Sequence, residues 1–241
     1  FESAASELLK DPWAARDGYI QVLLDRSPES IDAFLKAHAN QGINSGRLPR
    51  LFEMLELQRH AMLMYTSCGW FFDDISGIET VQVIQYAGRV VQLARAALGL
   101  ELEAEFLDRL AGAKGSDPER PDGRVVYEQC VKPAVVDLIR VGAHYAISTA
   151  FEDTPSRGQI YAFNVDRHEN RRRTSGRARL VIGSATFESR ITTERRSLSY
   201  GVLHLGDHTV SCGVREFRDT DQFSKLGAAA ESAFDIADFA G

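Results

Sequence analysis

Apolar positions along the first 150 residues recur at helical spacing. The stretch from Trp13 to Leu24 follows Asp11-Pro12, a helix-start signal. Ser27-Pro28-Glu29 opens a second helix with a capping serine and a proline in the first turn. Its apolar face is Ile31, Phe34, Leu35 and Ala39, and Asn40-Gln41-Gly42 ends it. A third helix is predicted from about Leu48 to Tyr65, with Leu51, Met54, Leu55, Gln58, Met62 and Tyr65 on one stripe. A fourth runs from about Ile78 to Leu98 and is closed by Gly99. Two more follow, over 101–110 and roughly 125–150, separated by the turn-rich stretch from Gly112 to Gly123. Long helices with short connections predict a bundle.

Near Thr154-Pro155 the period changes from helical to alternating. Strands are predicted over 159–166, 178–192, 197–205 and 209–217, with Gly206-Asp207 turning a hairpin between the last two. An amphipathic helix over about 221–239 ends the chain. The predicted class is α+β: an N-terminal helical bundle over 1–153, then a mainly antiparallel β-sheet and a C-terminal helix over 154–241.

Composition narrows the function classes. The chain has 241 residues, and its formal charge of -6 gives no basic face for phosphates. The one basic cluster, Arg171-Arg172-Arg173 with Arg177 and Arg179 beyond it, reads as a solvated loop between strands. A nucleic-acid partner is not expected. Cys68, Cys130 and Cys212 are far apart, so neither a disulfide framework nor a zinc knuckle is indicated. With no apolar run near the ~20 residues that span a bilayer, and no signal-peptide order at the start, the expected setting is cytoplasmic and away from membranes. The chain begins at Phe1 and stops at Gly241 directly after a helical pattern, and it reads as a piece of something longer.

One segment concentrates chemistry. Tyr65-Thr66-Ser67-Cys68-Gly69-Trp70-Phe71-Phe72-Asp73-Asp74-Ile75-Ser76-Gly77-Ile78-Glu79 places three aromatics, two adjacent carboxylates and two glycines between two helices. Aromatic faces beside carboxylates suit sugars, because rings stack on C–H faces while carboxylates accept from hydroxyls. The competing reading is that the rings plug the bundle end and an aspartate caps the next helix. Asp73 and Asp74 are poor catalysts: glycoside cleavage needs two carboxyls flanking one bond, roughly 5–9.5 Å apart. A second group, His204-Leu205-Gly206-Asp207-His208 with Cys212 beyond, sits at a predicted hairpin tip. Its spacing matches no standard metal site. Either an ordinary turn or polar contacts to the same cleft would account for it. Without a GxSxG elbow, a P-loop or a GxGxxG fingerprint, neither a serine hydrolase nor a nucleotide cofactor is expected. Catalytic residues, metal and cofactor are all read as none.

The run Leu57-Gln58-Arg59-His60-Ala61-Met62-Leu63-Met64, continuing through that aromatic segment to Glu79, resembles the signature of a domain of unknown function. That domain is found C-terminal to the catalytic barrel in bacterial proteins resembling glycoside hydrolase family 57. The run Leu198-Ser199-Tyr200-Gly201-Val202-Leu203-His204-Leu205-Gly206-Asp207-His208 resembles the β-rich part of the same domain, and the likeness extends from about Trp13 to Phe239. In that family the catalytic Glu and Asp are carried by the barrel, which this chain does not match. The resemblance implies an accessory domain whose partners are that barrel and an α-glucan-like carbohydrate. It also implies an aromatic platform at Trp70 with a polar contact from Asp73 or Asp74. Cys68-Gly69 stands where amylase-like members place Ser-Asp before the Trp. The expected substrate-binding residues are Trp70, Phe71, Asp73, Asp74, Glu79, His204, Asp207 and His208. An interaction module that packs on a catalytic domain without touching ligand is the alternative.

Overall fold

A computed structural model of the chain describes residues 1–236; the last residues of the predicted final helix, 237–239, lie outside the described residues. The chain divides into two compact units, Phe1–Val135 and Val136–Gly241.

The first unit is helical: α1 (Glu2–Ala5), α2 (Pro12–Gly18), α3 (Ile20–Leu24), α4 (Pro28–His38), α5 (Leu48–Leu63), α6 (Cys68–Phe71), α7 (Ile78–Leu98), α8 (Glu103–Leu110) and α9 (Gly123–Val126). The starts follow local chemistry. The Asp11 carboxylate accepts from the Trp13 and Ala14 amides at 3.0 Å each, and the Ser27 hydroxyl accepts from the Ser30 amide at 3.3 Å. Gly99 closes α7 with φ 68°, a backbone conformation that costs an L side chain dearly. Leu8, Leu9, Tyr19, Val22, Phe34, Leu51, Phe52, Met54 and Leu55 form one core. A second, smaller core gathers Ile84, Val126, Tyr127 and Val131, with Ile75, Phe106, Leu107 and Leu110 packed against it.

The single helix expected over 125–150 is broken. After α9 the backbone passes through a π-helical turn (Tyr127–Val131) and a 3₁₀ turn (Lys132–Ala134) before α10 (Leu138–Phe151) starts again. Pro133 lacks the amide that a continuous helix needs, and the Asp137 carboxylate caps the new start by accepting from the Arg140 amide at 2.7 Å. The unit boundary therefore falls at Val135/Val136, upstream of the 153/154 position expected from the change in period, because α10 packs on the sheet.

The second unit is a five-stranded antiparallel meander, β1 (Arg157–Ile160), β2 (Phe163–Ser175), β3 (Ala178–Ser189), β4 (Arg195–Gly206) and β5 (Thr209–Glu216), each pairing with the next, followed by α11 (Thr220–Ile236). The stretch predicted as one strand over 159–166 contains a tight turn instead. Tyr161 takes φ 50° there, and Ile160 pairs with Phe163. Arg171, Arg172 and Arg173 are not a loop but lie inside β2. Their partners are Glu169 and Glu231 for Arg171, Asp153 for Arg172 and Glu231 for Arg173. On one sheet face Val181, Ala185, Phe187, Leu198, Tyr200 and Val202 bury against α10. On the other, Leu180 and Ile182 bury with Phe223 and Phe234 of α11.

Candidate functional site

Helix α5 carries the predicted apolar stripe, but the stripe leaves the core before the helix ends. Leu51, Met54 and Leu55 are buried, while Met62 is exposed and Tyr65 is 85% exposed. The chain then bends through the four-residue α6 and enters α7 at Ile78. Gly69 permits the bend: a Cβ there would sit 3.1 Å from Cγ1 of Val83 on α7. Outside this contact, Trp70 is 74% and Phe71 68% exposed, with Phe72 and Ile78 exposed beside them. Phe71 and Phe72 meet edge to face at 5.2 Å. The rings therefore do not plug the helical core.

The three acidic groups of the elbow take two roles. Asp74 is spent on its own chain. One carboxylate oxygen accepts from the Ser76 amide and hydroxyl at 2.7 Å each, and the other accepts from the Ser116 amide at 2.9 Å and the Ser116 hydroxyl. These bonds, led by Ser116 and then Ser76, hold the carboxyl well below the usual carboxylate range. The Asp74 carbonyl also accepts from the Gly77 amide at 3.2 Å and the Thr80 hydroxyl at 3.1 Å. Asp73 is exposed, and Glu79 lies in the first turn of α7, where the helix dipole favours a carboxylate.

The stretch from Gly112 to Gly123, which sequence reasoning treated only as a separator, braces this elbow. Ser116 bridges to Asp74 across 42 positions. Arg120 donates to the Ser76 carbonyl at 3.4 Å and to Asp117 at 2.9 Å. Ile75 packs where Cβ atoms on Gly115 and Gly123 would stand at 3.0 and 2.9 Å. The local Asp-Ile-Ser spacing signals a side-chain turn at Asp74. The distant Ser116 contact has no local signal at all.

The tip residues His204, Asp207 and His208 belong to the second unit, whereas Trp70, Phe71, Asp73, Asp74 and Glu79 belong to the first. Gly206 (φ 106°) and Asp207 (φ 48°) turn the β4–β5 hairpin where the sequence placed it. His204 packs edge-on against Phe151 at 5.0 Å and directs Nε2 to the Asp207 carbonyl at 3.2 Å, leaving a buried Nδ1 without a hydrogen-bond partner among the described residues. Asp207 faces Arg177 at 3.8 Å with both side chains in solvent, and His208 is exposed. Among the described residues, no three His, Cys, Asp or Glu side chains come together as a metal site. No helix among them is long and apolar enough to cross a membrane.

The fold and site thus define an α+β chain with an exposed aromatic-acidic elbow. The chain belongs to the family described as a domain of unknown function, DUF3536, whose model matches residues 1–241. No curated protein matches it. No solved structure does either.

Proposed function

We propose that the chain is a non-catalytic accessory domain of a protein related to glycoside hydrolase family 57, and that its elbow offers Trp70 to an α-glucan-like carbohydrate in a cleft of the parent protein. The observation that supports this most is the exposed indole of Trp70 on the same elbow as Asp73 and Glu79, whose carboxylates accept no hydrogen bond among the described residues. Asp74 acts in this reading as the brace of the elbow and not as a sugar contact, since all its acceptor positions are occupied. The catalytic barrel of the same parent chain supplies the chemistry.

The test is calorimetric titration of the full-length parent protein with a maltooligosaccharide. Trp70→Ala should weaken binding by about tenfold or more, the equivalent of about 1.4 kcal/mol. Its melting temperature should change little, because the removed ring is exposed. Unchanged affinity would defeat the sugar reading. The isolated chain should leave α-glucans uncleaved.

A second reading has its own support. Tyr65, Phe71 and Ile78 extend the exposed apolar surface beyond a single ring, as a docking face does. In that case Tyr65→Ser with Phe71→Ser would detach the domain from its catalytic partner in a co-purification assay, while Trp70→Ala would leave sugar affinity intact.

A further inference from the structure

The outer face of the sheet, opposite α10, changes character along β3. Leu180 and Ile182 are covered by α11, and beyond them the same face presents Ser184, Thr186 and Glu188. Cross-strand register builds two polar rows there. One runs Arg157, Asp166, Thr186 and Ser197; the next runs Asn164, Glu188 and Arg195. The rows border a depression of about 290 Å³.

An ordinary solvated sheet face would expose its hydroxyls and let opposite charges in register close on each other. This one does so only in part. Thr186 is only 6% exposed, and its hydroxyl is held between His168 Nε2 at 2.7 Å and Ser197 Oγ at 2.8 Å. Arg157 and Asp166 approach to 3.3 Å. Glu188 and Arg195 are direct cross-strand partners yet form no ion pair, and the Asn164 side-chain amide makes no hydrogen bond, among the described residues. Donor and acceptor capacity is therefore left unspent around a concavity that Thr186 helps to line.

We infer that this depression is a binding site for a small uncharged polyol, of the size of a single sugar ring. Two guanidinium groups and two carboxylates line it, so a ligand of either net charge meets repulsion from one pair. A polyol hydroxyl donates and accepts at once, which matches an amide, a carboxylate and a guanidinium arranged side by side. The volume suits one ring and falls at the lower limit for small-molecule pockets. The site lies wholly in the second unit and does not depend on the elbow reading.

The test follows D-glucose binding to the intact chain by backbone amide shifts. Saturable shifts should appear on β2, β3 and β4. Asn164→Ala with Glu188→Ala should weaken binding by about tenfold or more, while Trp70→Ala should leave these shifts unchanged. Both rim positions lie outside the buried core, and Glu188→Gln, which keeps the shape, serves as the conservative variant. The absence of saturable shifts on these strands, or their survival in the double variant, would overturn the site. Displacement of glucose by glycine or inorganic phosphate would overturn its assignment to an uncharged ligand. Loss of elbow-dependent oligosaccharide affinity in Trp70→Ala bears on the elbow alone.

Discussion

The Glu56 side chain is 1% exposed, and three residues donate hydrogen bonds to its carboxylate. Tyr19 donates at 2.7 Å, Arg26 at 2.7 Å and Arg59 at 3.1 Å. Burial disfavours the charged form, but the hydrogen bonds from Tyr19 and Arg26 and the charge of Arg59 outweigh it, so the carboxyl titrates below its ordinary range. Glu56→Ala would remove the buried acceptor that Tyr19, Arg26 and Arg59 share, and should cost about 3–5 kcal/mol in denaturant titration. His60 behaves oppositely to what its nearness to Glu56 suggests. Burial, reinforced by Arg59 and Arg89, lowers its pKa despite the bond to the Glu56 carbonyl at 2.8 Å. The unfolded chain thus binds a proton more readily than the folded one. The stability from neutral His60 is complete above about pH 6.5 and declines as pH falls below it. His60→Gln should flatten that part of a stability-against-pH curve. Neither role is legible in the sequence, where Arg59 and His60 stand out only within the run that carries the family resemblance and Glu56 not at all.

Elements were more legible than their joints. Capping residues at Asp11 and Ser27 and the glycine at position 99 fixed where helices begin and end, because each acts on its own neighbours. The break after α9 has no sign in the apolar pattern of 125–150, which runs on across Pro133. The basic triplet reads as a loop in the sequence because two of its partners, Asp153 and Glu231, are distant. Two changes test how elements are fitted. Gly183 lies on β3 beside the bulge between Arg167 and Glu169. A Cβ there would stand 2.4 Å from the Tyr200 ring and 2.6 Å from the Glu169 carbonyl, so Gly183→Ala should destabilise the second unit by about 1–3 kcal/mol. For the elbow, Asp74→Ala removes every bond that ties it to Ser76 and Ser116. Chymotryptic cleavage at Trp70, Phe71 or Phe72 should then quicken several-fold while α5 and α7 remain protected; unchanged cleavage would show that the packing of Ile75 suffices.

For the whole molecule, period and order conveyed the class, helices first and an antiparallel sheet after. The aromatic elbow stood out in the sequence as an unusual composition, and its exposure could be settled only by the packing of Gly69 on Val83 and of Ile75 on the 112–123 stretch. The polar depression on the sheet escaped notice because Asn164, Glu188 and Arg195 become neighbours only through strand register. That same register has a kinetic consequence. Every strand of the meander pairs with the strand next to it in the chain, so no pairing waits on a distant segment to diffuse in. Closure of short loops sets the pace, and such local topologies fold quickly for β-rich chains. Stopped-flow refolding of the second unit, followed through the fluorescence of Tyr145, which packs on Phe187 and Tyr200, should show one dominant phase. Lengthening the Asp207-His208 turn with glycines should slow that phase only slightly, as the logarithm of the added length.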